Sequence, residues 1–304
     1  MNVLRVFLLF TVILFGAIFA MVFFKGKNAV ESPRDVEVIE VFPEKEEEGE
    51  VKVDRMDEFF SLNGKTLPIV ETVTYHSRVP WKTGPAWIVD YARHYKTSRH
   101  FIARSLNGKV DYKSQTVKEG DSFNVLRSDV PFDFYLLIDL SSCTMRFYYR
   151  DFNADEAVLL KTYVVGVGRP DETCESGFRT PLGIYRLSSN VATYRPGMMG
   201  FYQGERVEML SIFGTRWLPF GEEVLGCTAP AKGLGLHGLP CHVENGVLQQ
   251  DLQGLGTSKS DGCVRLSSED IEELYAILVS RNTIVEIVHG FQNAQGVACQ
   301  VGRE

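Results

Sequence analysis

The strongest pattern in the chain is an apolar run from Val6 to Phe24, VFLLFTVILFGAIFAMVFF. About 20 such residues span a bilayer as a helix. Arg5 precedes the run and Lys25 and Lys27 follow it, so flanking charge does not fix its orientation. Its length, and the lack of a small-x-small cleavage pattern directly after it, favour an uncleaved signal anchor over residues 1–27 rather than a cleaved signal peptide. On either reading the bulk of the chain is exported. Residues 28–70 read as an acidic linker. Glu44 to Glu50 is almost wholly acidic, follows Pro33 and Pro43, and buries too little apolar surface to order itself.

Residues 71–128 change character. Ile88 to Tyr95 carries apolar and aromatic residues at helical spacing. Thr97 and Ser98 offer an N-cap for a second helix through Phe101 and Leu106, ended by Asn107-Gly108. Val117 to Leu126 reads as a turn leading into a strand. The segment is therefore expected to run strand, two short helices, strand.

From Phe132 the period becomes two. Tyr135–Leu140 and Met145–Arg150 read as a hairpin across Ser141-Ser142-Cys143-Thr144. Met145, Phe147 and Tyr149 form its buried face. Further short strands are expected over 161–168, 183–188, 211–218 and 234–238, and 282–288 closes the set. Ser267 with Asp270 starts a helix whose apolar stripe is Ile271, Leu274, Tyr275 and Leu278. These elements predict a mainly β domain, a sandwich or partly closed barrel, over 132–289, with a tail over 290–304.

Apolar content is 44% and net charge −7, which suit a folded core and suggest no nucleic-acid partner. The six cysteines are Cys143, Cys174, Cys227, Cys241, Cys263 and Cys299. Cys227 and Cys241 bracket a histidine strand, and a disulfide between them is left open.

The candidate chemistry lies late in the chain. Gly233-Leu234-Gly235-Leu236-His237-Gly238 places a histidine in an apolar, glycine-flanked strand. Ser260-Asp261-Gly262-Cys263-Val264-Arg265 places a cysteine in a polar turn. Together they supply a sulfur nucleophile and its base. A helix starting just after Cys263, and Arg265, are expected to favour the thiolate. The N–H groups of Gly262 and Cys263 are the expected oxyanion donors. Ser260 is expected to hydrogen-bond within the site. The carbonyl of Gly238 is the expected partner that orients the His237 ring, with Asp261 as the alternative. His242 is the weaker candidate base. Tyr194, Met198, Met199, Phe201 and Tyr202 suggest a soft aromatic lid. The spacing of Cys227, His237, Cys241, His242 and Cys263 fits no common zinc pattern.

These two segments resemble the hallmark of the YkuD-type L,D-transpeptidases, a His-Gly strand followed by Ser/Thr-x-Gly-Cys-apolar-Arg/Asn. Gly177-Phe178-Arg179-Thr180-Pro181-Leu182-Gly183-Ile184-Tyr185 and Gly214-Thr215-Arg216-Trp217-Leu218 extend the resemblance over roughly residues 132–289. Many members carry histidine where this chain has Asp261. The resemblance implies peptidoglycan as partner. Cys263 would attack a tetrapeptide stem, with Arg265, Gly238 and Asp261 on the substrate side. It implies no metal or organic cofactor, and acylation by carbapenems. The expected location is the cytoplasmic membrane, with the catalytic part in the periplasm or outside the cell. Segment 71–128 resembles a LysM module through Tyr95-x-Thr97, Ile102 with Leu106-Asn107, and Val117-x-x-Gly120-Asp121, which implies glycan binding. The competing classes are an L,D-carboxypeptidase and an inactive peptidoglycan-binding anchor. A papain-like protease is disfavoured because the cysteine follows its histidine.

Overall fold

Alternation of buried and wetter residues builds the central sheet. On Thr144–Asp151, Met145, Phe147 and Tyr149 enter the core, as the period of two predicts. The computed structural model describes residues 53–107, 116–153 and 156–295. The apolar run Val6–Phe24, most of the acidic linker, Gly108 and Cys299 lie outside the described residues. Among the described residues, no helix is long and apolar enough to cross a membrane.

Among the same residues the main sheet has nine strands. Its order is Val264–Leu266, Gly235–Gly238, Arg216–Leu225, Gly183–Leu187, Thr283–Val288, Phe132–Asp139, Thr144–Asp151 and Glu156–Val164, with Ala192–Thr193 on Arg216–Leu225. The long strand Arg216–Leu225 bulges between Phe220 and Glu223, which bends the sheet. The two edges then meet. Gly166, just past Glu156–Val164, exchanges backbone hydrogen bonds with Arg265 at 2.8 Å in both directions. The sheet is thus curled to near closure, in keeping with the expected barrel-like architecture. The stretch expected as a strand over 211–218 begins instead as a short helix, Leu210–Phe213, ended by Gly214 at φ 61°.

Helix Ser268–Leu278 fills the concave side. Ser267 caps it, its hydroxyl accepting from the Asp270 N–H at 3.1 Å. Ile271, Leu274, Tyr275 and Leu278 join the core cluster, as their spacing predicts. Its first residues follow strand Val264–Leu266, so the helix seats the Cys263 turn from behind.

The segment expected as the end of the linker is part of this core. Met56, Phe59, Leu67 and Ile69 are all buried in it. Phe59 meets Phe101 edge-on at 5.9 Å and Phe134 at 6.3 Å. Arg55 N–H bonds the Leu160 carbonyl at 2.9 Å, extending the sheet past its edge strand. Lys161 holds Glu273 at 2.9 Å and also reaches Asp54, tying this segment to the helix behind Cys263. Its hydrophobic residues outweigh the acidic run that precedes it, so residues 53–70 belong to the folded part and not to a linker. Phe59→Ala is expected to cost about 3–5 kcal/mol by urea denaturation, the usual range for a buried phenylalanine. No loss would mean that the segment does not support the core.

Residues 71–128 form strand Val70–Thr74, helices Ile88–His94 and Arg99–Asn107, and strand Ser122–Leu126. The two strands pair antiparallel. This is the expected order. Ser98 caps the second helix, its hydroxyl accepting from the Phe101 N–H at 2.9 Å. Tyr75, Tyr91, Ile102, Phe123 and Val125 make a small core of their own. Val70, Phe101 and Leu126 belong to the central core instead. The segment is therefore packed onto the β domain rather than strung beside it. The tail expected from residue 290 also begins folded, with Phe291 and Ala294 against Tyr135 and Tyr148 on the outer face.

Candidate active site

Two neighbouring strands carry the candidate chemistry. Gly235–Gly238 and Val264–Leu266 run parallel, with Leu236 beside Val264 and His237 beside Arg265. Leu236, Val264 and Leu266 point into the core. Alternation puts His237, Arg265 and Cys263 on the opposite face. Cys263 and His237 are diagonal neighbours there, drawn from segments 26 residues apart.

His237 is buried, and its Nδ1 lies 2.7 Å from the Gly238 carbonyl oxygen. A carbonyl only accepts, so Nδ1 carries the proton and Nε2 is left as the base. This is the expected role for Gly238. Burial pushes the His237 pKa down to about 4, the Gly238 carbonyl opposes this, and the Arg265 charge adds to it. Aromatic rings wall the imidazole. Phe213 meets it edge-on at 5.3 Å and Trp217 at 5.9 Å. Tyr194 and Tyr202 pack on Phe213 in turn. Of the residues expected to form a lid, Met199, Phe201 and Tyr202 lie in the hairpin Met199–Tyr202 and Glu205–Glu208, with Phe201 exposed. His242 sits exposed on the separate hairpin Cys241–Glu244 and is not part of this face.

The Cys263 Sγ lies 3.8 Å from the Gly233 carbonyl oxygen. Among the described residues it makes no hydrogen bond to His237. Such bonds often tighten only when substrate is bound. Burial opposes the expected thiolate. Burial of the sulfur raises its pKa to about 11, against the Gly235 N–H and Arg265, which lower it. The helix contributes little here, because strand Val264–Leu266 separates its start at Ser268 from the sulfur, and dipole effects fade within one turn. Thiol and imidazole are therefore both neutral near pH 7.

Ser260 organises the turn, as expected. Its hydroxyl donates to the Cys263 carbonyl at 2.6 Å and accepts from the Gly262 N–H at 3.1 Å. That second bond changes the oxyanion expectation, because the Gly262 N–H already has its acceptor. The Cys263 N–H remains the donor of this turn. Gly262 adopts φ 125°, and a Cβ there would sit 2.8 Å from the Arg179 carbonyl oxygen. Only glycine fits.

Asp261 faces away from this chemistry. Its Oδ1 is held by Arg169 at 3.1 Å and Arg179 at 3.0 Å, both partly exposed. It fastens the turn to the 169–179 loop and is not the group that orients His237. Arg265 is different. Among the described residues no carboxylate pairs with it, and its buried Nε lacks a hydrogen-bond partner. It leaves a positive charge beside Cys263 and His237.

Cys227 and Cys241 are free thiols. Strands Arg216–Leu225 and Gly235–Gly238 are antiparallel, with Leu218 beside Leu236, so the two cysteines leave the pair at opposite ends. The Cys227 sulfur lies 3.2 Å from the Ile184 carbonyl oxygen, that of Cys241 3.6 Å from Leu210's. The disulfide left open by the sequence is not formed. Among the described residues no group of three or more His, Cys, Asp or Glu is set to hold a metal ion.

Residues 133–287 match the family model of the YkuD L,D-transpeptidase catalytic domain. The chain belongs to that family. No curated protein sequence matches this transpeptidase-family chain. Among solved structures, Bd1075 of Bdellovibrio bacteriovorus is 17% identical at a TM-score of 0.34. The match covers 52% of this chain and 48% of that one. The helical cell shape determining protein Pgp2 of Campylobacter jejuni is 15% identical at a TM-score of 0.33, over 52% of this chain and 48% of its own. The chain thus spans about half the length of either.

Several residues at this transpeptidase-family site were not singled out from sequence. Phe213 and Trp217 wall His237, Arg169 and Arg179 hold Asp261, and Thr180 reaches the Gly262 carbonyl. Thr180 and Arg179 lay within the quoted 177–185 motif, which was the available signal. Phe213 and Arg169 gave none.

Proposed function

We propose that this chain is a membrane-tethered L,D-transpeptidase that remodels or cross-links peptidoglycan, and so contributes to cell-wall organisation and cell shape. The observation that carries this reading is the shared face of Cys263 and His237, with the imidazole tautomer fixed by Gly238. The donor is a tetrapeptide stem. The Cys263 thiol passes its proton to His237 Nε2 as the sulfur attacks the carbonyl of the third residue. The Cys263 N–H receives the oxyanion. His237 returns its proton to the leaving terminal D-alanine, and a thioester remains. An amine from a neighbouring stem then displaces Cys263. Arg265, which pairs with no carboxylate among the described residues, draws the acidic stem toward the sulfur. The anchor over Val6–Phe24 and a periplasmic or extracellular catalytic domain belong to the same proposal. So does glycan binding by residues 71–128, which their strand, helix, helix, strand order supports.

The neutral resting pair gives a signed pH prediction. His237 must be neutral to act as base, so acylation by a carbapenem should fall as pH drops through about 4. Above that limb the rate should stay level across neutral pH, because the proton is transferred within the attack rather than lost beforehand. Rates of imipenem adduct formation across this range, followed by mass spectrometry, check this. A loss of rate between about pH 7 and pH 9 would instead mean that a preformed thiolate–imidazolium pair is the active state.

A further inference from the structure

The direction of the one remaining oxyanion donor is set by a residue outside both hallmark segments. Thr180 is fully buried. Its hydroxyl donates to the Gly262 carbonyl at 2.9 Å and accepts from the Gly168 N–H at 2.7 Å. The Gly262 carbonyl and the Cys263 N–H belong to one trans peptide plane and point in opposite directions. Fixing the carbonyl on Thr180 therefore fixes the Cys263 N–H on the other side of the plane. With no Cβ on Gly262 the following peptide can turn freely about the Cα–C bond, so the Thr180 hydrogen bond is what holds its orientation. Ser260 cannot replace it, because its hydroxyl is spent on the Gly262 N–H and the Cys263 carbonyl.

We propose that Thr180 is a positioning residue that aims and polarises the Cys263 N–H for the oxyanion. The three groups form a chain, Gly168 N–H to Thr180 O–H to Gly262 carbonyl, and each bond strengthens the next. The Cys263 N–H at its end becomes a better donor. Thr180 touches neither the sulfur nor the substrate in this account. A Cβ at Gly168 would collide first with the Thr180 backbone nitrogen and then, at 2.8 Å, with its hydroxyl oxygen, so only glycine lets the two segments approach this closely. This inference rests on Cys263 being the acylated nucleophile.

The test separates a reaction that builds an oxyanion from one that does not. Imipenem acylates through a tetrahedral oxyanion, whereas iodoacetamide alkylates sulfur by direct displacement. Thr180→Val keeps the shape and removes the hydroxyl, Thr180→Ala repeats the test with less demand on packing, and Thr180→Ser keeps the hydroxyl. In the full chain, imipenem acylation should fall about 10- to 100-fold in the valine and alanine variants, somewhat under the loss of a whole donor. Iodoacetamide alkylation of Cys263 should stay within about twofold of wild type, because the thiol's surroundings are unchanged. The serine variant should behave as wild type in both. Unchanged acylation without the hydroxyl, or acylation and alkylation altered together, overturns the role. Wild-type protein that takes no imipenem overturns the nucleophile reading beneath it, a distinguishable failure.

Discussion

Replacing Cys263 by alanine is expected to reduce release of D-alanine from tetrapeptide stems to background. The sulfur forms the covalent bond, and no other group on this face can. His237 has its Nδ1 committed to Gly238, and Ser260 spends its hydroxyl within the turn. The other described cysteines lie elsewhere, Cys143 in a hairpin tip and Cys241 against the Leu210 carbonyl. Stability should change little, since the sulfur's hydrogen bond to the Gly233 carbonyl is long, at 3.8 Å, and weak. D-alanine release assayed on purified stems, with circular dichroism to check the fold, measures both. Activity retained in Cys263→Ala would remove the nucleophile from the account.

Gly262→Ala should also have a large effect, by a different route. A side chain at φ 125° is strained wherever it sits. Here the new methyl also meets the Arg179 carbonyl oxygen at 2.8 Å, and backbone yields less readily than a side chain. The two effects together should cost roughly 2 kcal/mol or more of stability. Relief of the clash must turn the peptide that carries the Cys263 N–H. Acylation should therefore fall at least about tenfold, even where the variant remains folded, because a donor off its line stabilises little. Thermal unfolding and imipenem adduct rates measure the two effects separately. A stable variant with full acylation would mean that the turn does not aim the donor.

Local patterns were legible where one force dominates. The stripe Ile271, Leu274, Tyr275 and Leu278, with Ser267 as cap, predicted its helix because burial and capping agree. Hairpin alternation over Met145 to Tyr149 was legible for the same reason. Tertiary competition hid the rest. The acidic run masked Met56, Phe59, Leu67 and Ile69, whose burial is decided by Phe101 and Phe134 rather than by composition nearby. The hallmark segments indicated Cys263 and His237 and the Gly238 partner of the imidazole, but not their protonation. Charge near the sulfur, read from Arg265, favoured a thiolate. Burial, which sequence does not display, reverses the sign. The oxyanion expectation changed for a similar reason, since only the fold reveals that Ser260 occupies the Gly262 N–H.

The full chain, with its cysteines reduced, is incubated with imipenem and weighed intact, then digested to locate any adduct. A single added imipenem is expected, carried by the peptide that contains Cys263. A folded, reduced protein that gains no mass, or gains it on a different cysteine, would contradict it.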